Sequence, residues 1–278
     1  MSLYGSDSGE LEVARVQLHQ AAQMIAAAGV SYAEHQADDS HTNMELLRPL
    51  NVWAGAVCPG KRSWRLALDF SALKYLFLDG EEHTPLSEYA LHGQTFDEAR
   101  AWFMRQVIRA GAEPEAFSTA LHFEIPDNDY AKGRPFKREN QRAFVGLAQH
   151  FLTAHEALER LLAQKNAGDL RIWPHHFDLG ALITLDSEAG KSVGLGLSPG
   201  DGSYNEPYYY VSPWPYPQKS GVLSDEALAG KGFWHTEGFT AAVLKASDYT
   251  RVEQTAGYID AFLDSALHAC EDILIGRP

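Results

Sequence analysis

Apolar and small residues at Leu11, Ala14, Leu18, Ala22, Ile25 and Ala28 recur at helical spacing, which predicts an amphipathic helix over roughly 10–28 with Gly29 as its stop. The period then changes. In SWRLALDF, Trp64, Leu66, Leu68 and Phe70 fall on one side and Arg65, Ala67 and Asp69 on the other, the signature of a half-buried strand. NVWAGAVC before it, ending at Pro59-Gly60, and LKYLFLDG and EYALHG after it are further β-rich runs closed by turn signals. TFDEARAWFMRQVIRAG returns to helical spacing, with Thr95 and Glu98 as a capping box and Gly111 as the stop.

Residues 112–140 read as a connecting region with one strand, STALHFEIP, and a polar run, DNDYAKGRPFKREN. A helix over 141–165 follows, its face made by Phe144, Leu147, Phe151, Ala154, Leu158 and Leu161. Strands LRIW, FDLGALITLD, SVGLGLSP and PYYYVSPWPYP come next, KGFWHTEGFTAAVLKASDY supplies one or two more, and a helix over 252–274 closes the chain. Each half therefore reads α, several β, α. The expectation is an α+β fold built on a duplicated α-β-β-β-α unit, with antiparallel sheet because the turns are short, and helices packed on one face. The repeats are placed at 1–125 and 141–278, joined by a connector at 126–140, and expected to pack as one compact unit.

Composition narrows the partners. The formal charge of −14 repels nucleic-acid phosphates and anionic lipid, so neither nucleic acid nor membrane is an expected partner. No apolar run approaches the ~18–20 residues of a membrane span, and the start MSLYGSDSGELEVAR lacks a basic region followed by an apolar one, which makes the cytoplasm the expected location. Cys58 and Cys270 stand far apart without a CxxC and read as small buried hydrophobes.

The chemistry concentrates in 170–217 and just beyond. His176 and Asp178 are two apart in an expected strand and would share a face, leaving His175 on the other; His235 and Glu237 repeat the pattern. Brought together with Glu206, these side chains form a candidate set for a divalent transition metal (His176, Asp178, His235, Glu237), with His176, Asp178, Glu206 and His235 as candidate catalytic groups. The weight of chance HxD and HxE pairs favours hydrogen-bonded sheet-edge histidines over ligands. SPGDGSYNEP fits neither a calcium loop, since its sixth position is Glu206, nor a phosphate loop, since no Lys-Ser/Thr follows. Tyr208, Tyr210, Trp214, Trp173 and Trp234 could line a pocket for a flat ligand, although strand alternation must divide Tyr208, Tyr209 and Tyr210 between two faces. His150 and His155 are five apart on one helix and read as packing or surface residues. There is no GxSxG, Walker loop, HExxH or strand-borne GxGxxG.

FDLGALITLD, the EPYYY and WPYP stretches, the GFWHTEGFTAAVLKASDY segment, the LHQAAQMI helix and the RLALDF strand together resemble, in order and spacing, an uncharacterised bacterial family catalogued only as a domain of unknown function. The resemblance covers most of the chain and implies homology along it, with no activity to transfer. At SHTNM the chain departs from that family's aromatic-His pattern, so the resemblance assigns His41 no role. Two function classes stand open on the sequence. One is small-molecule binding in a cleft of the second repeat, extending to metal-assisted hydrolysis. The other is a non-catalytic scaffold acting through the aromatic strand, as in a homodimer.

Overall fold

The protein is α+β with antiparallel sheets, as the two periodicities predict. The structure is a computed structural model and describes residues 7–163, 165–217, 223 and 227–276; the first six residues, read above for a signal segment, lie outside these. The chain divides into two compact units. Of the described residues, one holds those up to Ala148 together with Arg171–Phe177, the other Gln149–Leu170 and those from Asp178 onward.

Helix α1 (Ser8–Tyr32) opens the first unit, with Asp7 Oδ1 accepting from the Glu10 amide as N-cap. It runs past Gly29, which does not stop it. The glycine answers a different need: a Cβ there would lie 2.0 Å from the His41 carbonyl oxygen, so only bare backbone lets α1 lie against the 3-10 turn Ser40–Thr42. Strands β1 (Glu45–Leu47), β2 (Val52–Ala54), β3 (Trp64–Asp69), β4 (Lys74–Asp79) and β5 (Pro85–Ala90) form an antiparallel meander in chain order. The alternation in β3 holds, but the strand is buried on both faces rather than one. Leu66 and Leu68 stand with Phe77 and Tyr75 on the side where the Tyr75 hydroxyl donates to the Ala21 carbonyl of α1; Ala67, Leu76, Leu78 and Val52 pack on the other. Arg65 is consequently interior, and the Glu45 carboxylate meets it at 2.5 Å while its Nε donates to the Gly55 carbonyl.

Helix α2 (Phe96–Ala110) carries the predicted capping box at Thr95 and Glu98 and ends on Gly111 in the left-handed region. Trp102 stacks on Tyr75 and Tyr89, which fixes the helix over β4 and β5. The strand predicted at STALHFEIP does not form. Side chains hold this segment and the residues after it to α1 instead of a sheet ladder: the Ser118 amide donates to Ser31 Oγ at 3.0 Å, and beyond the segment Asn128 Nδ2 donates to Gln20 Oε1 at 3.1 Å. Helix α3 (Gln141–Leu162) follows, and β6 (Arg171–Trp173) returns to the first unit, where Ile172 bridges Met44.

In the second unit β7 (Asp178–Asp186), β8 (Lys191–Ser198), β9 (Tyr208–Trp214), β10 (Phe233–His235) and β11 (Ala241–Lys245) run in the order β10-β11-β9-β8-β7, every neighbouring pair antiparallel. The short α4 (Ala246–Tyr249) and the closing α5 (Thr255–Ile275) complete it. One face of this sheet is apolar, built in register from Leu179, Leu197, Tyr209 and Leu244 and from Leu195, Val211 and Ala242. Tyr209 packs edge-on against Tyr249, and Cys270 of α5 sits over Val211, so this is the helix-covered face. Both cysteines are buried and unpaired with each other, as expected of small hydrophobes; burial pushes the Cys58 thiol up to about 12. His150 and His155 are likewise packing residues, with His150 Nδ1 2.8 Å from the Tyr249 hydroxyl. Among the described residues no helix is long and apolar enough to cross a membrane.

Candidate functional site

The other face of the second sheet carries Asp178, Tyr208, Tyr210 and His235 among the side chains singled out by the sequence. Registry aligns Tyr210, Gly196 and Gly180 across β9, β8 and β7. A Cβ at Gly196 would come within 2.6 Å of the Tyr210 hydroxyl oxygen, and one at Gly180 within 2.7 Å. The two glycines therefore make a trough in which the Tyr210 ring crosses β8, and its hydroxyl reaches β7 to donate to the Asp178 carboxylate. Burial and then the Asp178 charge hold the Tyr210 phenol well above its ordinary range, so it stays a donor. Tyr209 points to the helix-covered face, so alternation does divide the three tyrosines as predicted.

A second set lies around the SPGDGSYNEP turn. Asp201 organises it: Oδ1 accepts from the amides of Ser203 and Tyr204, and Oδ2 accepts from the Tyr208 hydroxyl at 2.5 Å. Its oxygens are thus used within the turn, in keeping with the plain-turn reading. Tyr204 reaches His235, hydroxyl to Nδ1, at 2.7 Å, and His235 Nε2 lies 2.6 Å from the Glu237 carbonyl oxygen. A carbonyl can only accept, so Nε2 bears a proton toward Glu237 and Nδ1 faces the Tyr204 hydroxyl. His235 also stacks on Phe239 at 4.1 Å. A groove of about 610 Å³ opens here, lined by Tyr204, Phe233, Trp234, His235 and Glu237.

These positions correct the expected metal set. His176 is in a turn, not a strand: Phe177 has φ 58° and β7 begins only at Asp178, so no strand periodicity links His176 to Asp178. His176 and Trp173 belong to the first unit, where His176 lies close enough to His19 to help depress its ring. Asp178 and His235 sit on β7 and β10, four strand spacings apart, about 19 Å at ~4.8 Å per step. Ligands of one ion must each approach it to about 2 Å, so these two cannot share one. Glu206 is taken up by α4, its oxygens accepting from the Ser247 amide at 2.7 Å and the Ser247 hydroxyl at 3.1 Å. Glu237 lies past the end of β10 and offers His235 its carbonyl, not its carboxylate. Trp214 is 56% exposed and pairs edge-on with Tyr216 rather than lining the groove.

The group of metal-capable donors that does converge among the described residues is His35, Asp39 and His41, whose ligand atoms all lie within 4.8 Å of one another. The His35 and His41 ring centroids are 4.8 Å apart, and His122 Nε2 is 3.3 Å from Asp39 Oδ2. Asp39 adopts φ 61°, a left-handed conformation that Asp tolerates, and this turns the chain between the two histidines. Gly29 seats the His41 carbonyl on α1, and the Gln36 amide donates to His41 Nδ1 over a long 3.3 Å. His41 is buried, and desolvation followed by the His35 charge lowers its pKa. The sequence signal was present in HQADDSHTNM, but no helix or strand period connects its His35, Asp39 and His41, and His122 comes from a distant segment.

Compared with protein-family models, curated proteins and solved structures, the chain gives no match.

Proposed function

We propose that the chain is a metal-ion-binding protein whose first unit takes one divalent ion of the zinc class through His35, Asp39, His41 and His122. The supporting observation is the convergence of an Asp carboxylate and two imidazoles within 4.8 Å, with a third imidazole 3.3 Å from that carboxylate. Imidazole and carboxylate donors suit zinc and its neighbours, and tetrahedral ligands at ~2.0–2.1 Å stand about 3.3 Å from one another. The His122–Asp39 spacing already has that value; the others close by side-chain rotation, and the long Gln36–His41 bond is exchanged on uptake. Four protein donors make a closed, structural kind of site, whereas three would leave a position for water and hydrolytic chemistry. His122 decides between them, and we assign the closed form. Calorimetric titration of chelator-treated protein with Zn²⁺ tests this: one equivalent should bind and raise the melting temperature. Absence of saturable uptake would overturn it.

A second reading rests on the 610 Å³ groove of the second unit. Its aromatic walls and the Glu237 side chain suit a flat cationic ligand. Tyramine should quench Trp234 fluorescence saturably, and Trp234→Phe with unchanged binding of the probe elsewhere would refute the assignment.

A further inference from the structure

From Ala112 to Asp129 the first unit contributes no buried residue. The stretch is fastened at two places. Near its start, Phe117 stacks on Tyr32 at 6.4 Å and meets Phe103 edge-on at 5.3 Å, while the Ser118 amide donates to Ser31 Oγ. Near its end, Asn128 is bonded to Gln20. Between these anchors, from Leu121 to Asp127, no backbone N–H donates to a described residue, and no helix or strand is formed. The one polar side-chain contact that this span makes outside 112–140, among the described residues, is His122 Nε2 to Asp39 Oδ2 at 3.3 Å, with the two side chains 53% and 48% exposed. Exposed contacts of this kind hold little.

Packing adds little to hold the span down. Leu121, Phe123 and Ile125 are only half-buried, and they line a cavity of about 330 Å³ whose other walls include Gln20 of α1 and Phe96 of α2. A void on one side of an apolar residue forfeits the contacts that close packing would supply there. With few hydrogen bonds and an unfilled space beside it, residues 119–127 belong to the low end of local stability. The turn that faces His122 is of the opposite kind. His41, Thr42 and Asn43 are buried, Gly29 lets the His41 carbonyl sit on α1, and Met44 exchanges both backbone hydrogen bonds with Ile172, at 3.0 and 2.9 Å. His122 therefore stands where a weakly held span meets a firmly held turn.

Building on the zinc reading above, we infer that the metal ion is a clasp: held by His35, Asp39 and His41 on the firm side, it fastens residues 119–127 through His122, and its loss lets that span open beside the cavity. A metal–imidazole bond must break before His122 can leave, whereas the exposed contact with Asp39 exchanges with water at little cost. Metal occupancy thereby sets how often the span is open. Limited proteolysis of the full chain tests this. Chymotrypsin cuts after large apolar residues, and only in a span that opens far enough to enter its active site, so the rate reports the open population. Saturating Zn²⁺, with occupancy established by calorimetry, should slow cleavage after Leu121 and Phe123 by roughly tenfold or more relative to the chelator-treated chain. His122→Ala, a change at an exposed position, should be cut at the unclasped rate with or without Zn²⁺. Zn²⁺ bound by the wild type without slower cleavage would overturn the inference and leave the metal assignment standing. Slowing of equal size in His122→Ala would overturn it as well, since the ion would then act by another route. No uptake of Zn²⁺ by the wild type would remove the metal assignment itself, and the clasp with it.

Discussion

The polar groups singled out in the second unit and one histidine-aspartate cluster of the first are put to opposite uses. In the second, Asp178 accepts from Tyr210, Asp201 from Tyr208 and two amides, Glu206 from Ser247, and His235 has both ring nitrogens engaged. Each acid or imidazole is matched by a neighbour that holds a loop or strand in place. In the first, His35, Asp39, His41 and His122 gather largely on one another, with the long Gln36 amide bond to His41, and Gln23 keeps a buried oxygen unmatched. Conspicuous chemistry in a sequence is therefore a poor guide to available chemistry: a group already hydrogen-bonded on every side must lose those bonds before it can bind anything.

The largest effects should come from the glycines that make each arrangement fit. Gly29→Ala puts a Cβ 2.0 Å from the His41 carbonyl oxygen, and Gly196→Ala puts one 2.2 Å from the Leu179 carbonyl oxygen. Each should lose about 3 kcal/mol in denaturant unfolding, since backbone must shift to admit the methyl. Only Gly29→Ala should also weaken Zn²⁺ binding. Equal zinc affinity in both variants would break the comparison.

Next in size is Tyr210→Phe, which deprives Asp178 of its phenol donor. A loss of about 1–2 kcal/mol in unfolding free energy is expected, with zinc affinity unaltered. An unchanged midpoint would mean that the trough over Gly196 and Gly180 is filled by packing alone.

Acid should act on both units alike. Burial lowers His19 to about 4 and His150 to about 3, below the ordinary ~6.5 of histidine in an unfolded chain. Between those limits the unfolded chain binds protons that the folded one refuses, so stability rises with pH. The contribution is complete above pH ~6.5 and is lost as pH falls toward 4 and 3. Melting temperatures measured from pH 7 to 4 should fall, and His19→Gln should make that fall shallower. A flat profile would contradict the burial of these rings.

The smallest effect is expected at Trp214, 56% exposed on β9. Trp214→Ala should change stability by less than about 0.5 kcal/mol in dilute solution. A larger loss that grows with protein concentration would show that a second copy covers the aromatic strand, as the scaffold reading requires.

Much of this fold is legible in the sequence, because period and punctuation act locally. The capping box at Thr95 and Glu98, the Gly111 stop, the alternation of β3 and the division of Tyr208, Tyr209 and Tyr210 between two faces all follow from spacing. Gly29 misleads because a helix glycine is equally consistent with a stop and with close packing, and only the fold reveals the His41 carbonyl above it. STALHFEIP alternates like a strand but is tied to α1 through Ser118 and Ser31, with Asn128 just beyond it bonded to Gln20, rather than to a ladder. The site was harder. HxD spacing argues for a shared face only if the residues are extended, and Phe177 in the left-handed region removes that premise. Asp178 and His235 are on one sheet face, but strand order, which no local pattern encodes, sets them four strands apart. His122 approaches Asp39 across more than eighty positions of chain, a contact that spacing cannot announce.

The most direct test of the contrast is zinc stoichiometry by mass spectrometry of metal after equilibrium dialysis, on the wild-type chain, His41→Ala and His235→Ala. The account predicts one equivalent in the wild type and in His235→Ala, and a loss of binding in His41→Ala with its melting temperature in the absence of metal nearly kept. Zinc retained by His41→Ala, or lost in His235→Ala, would contradict it.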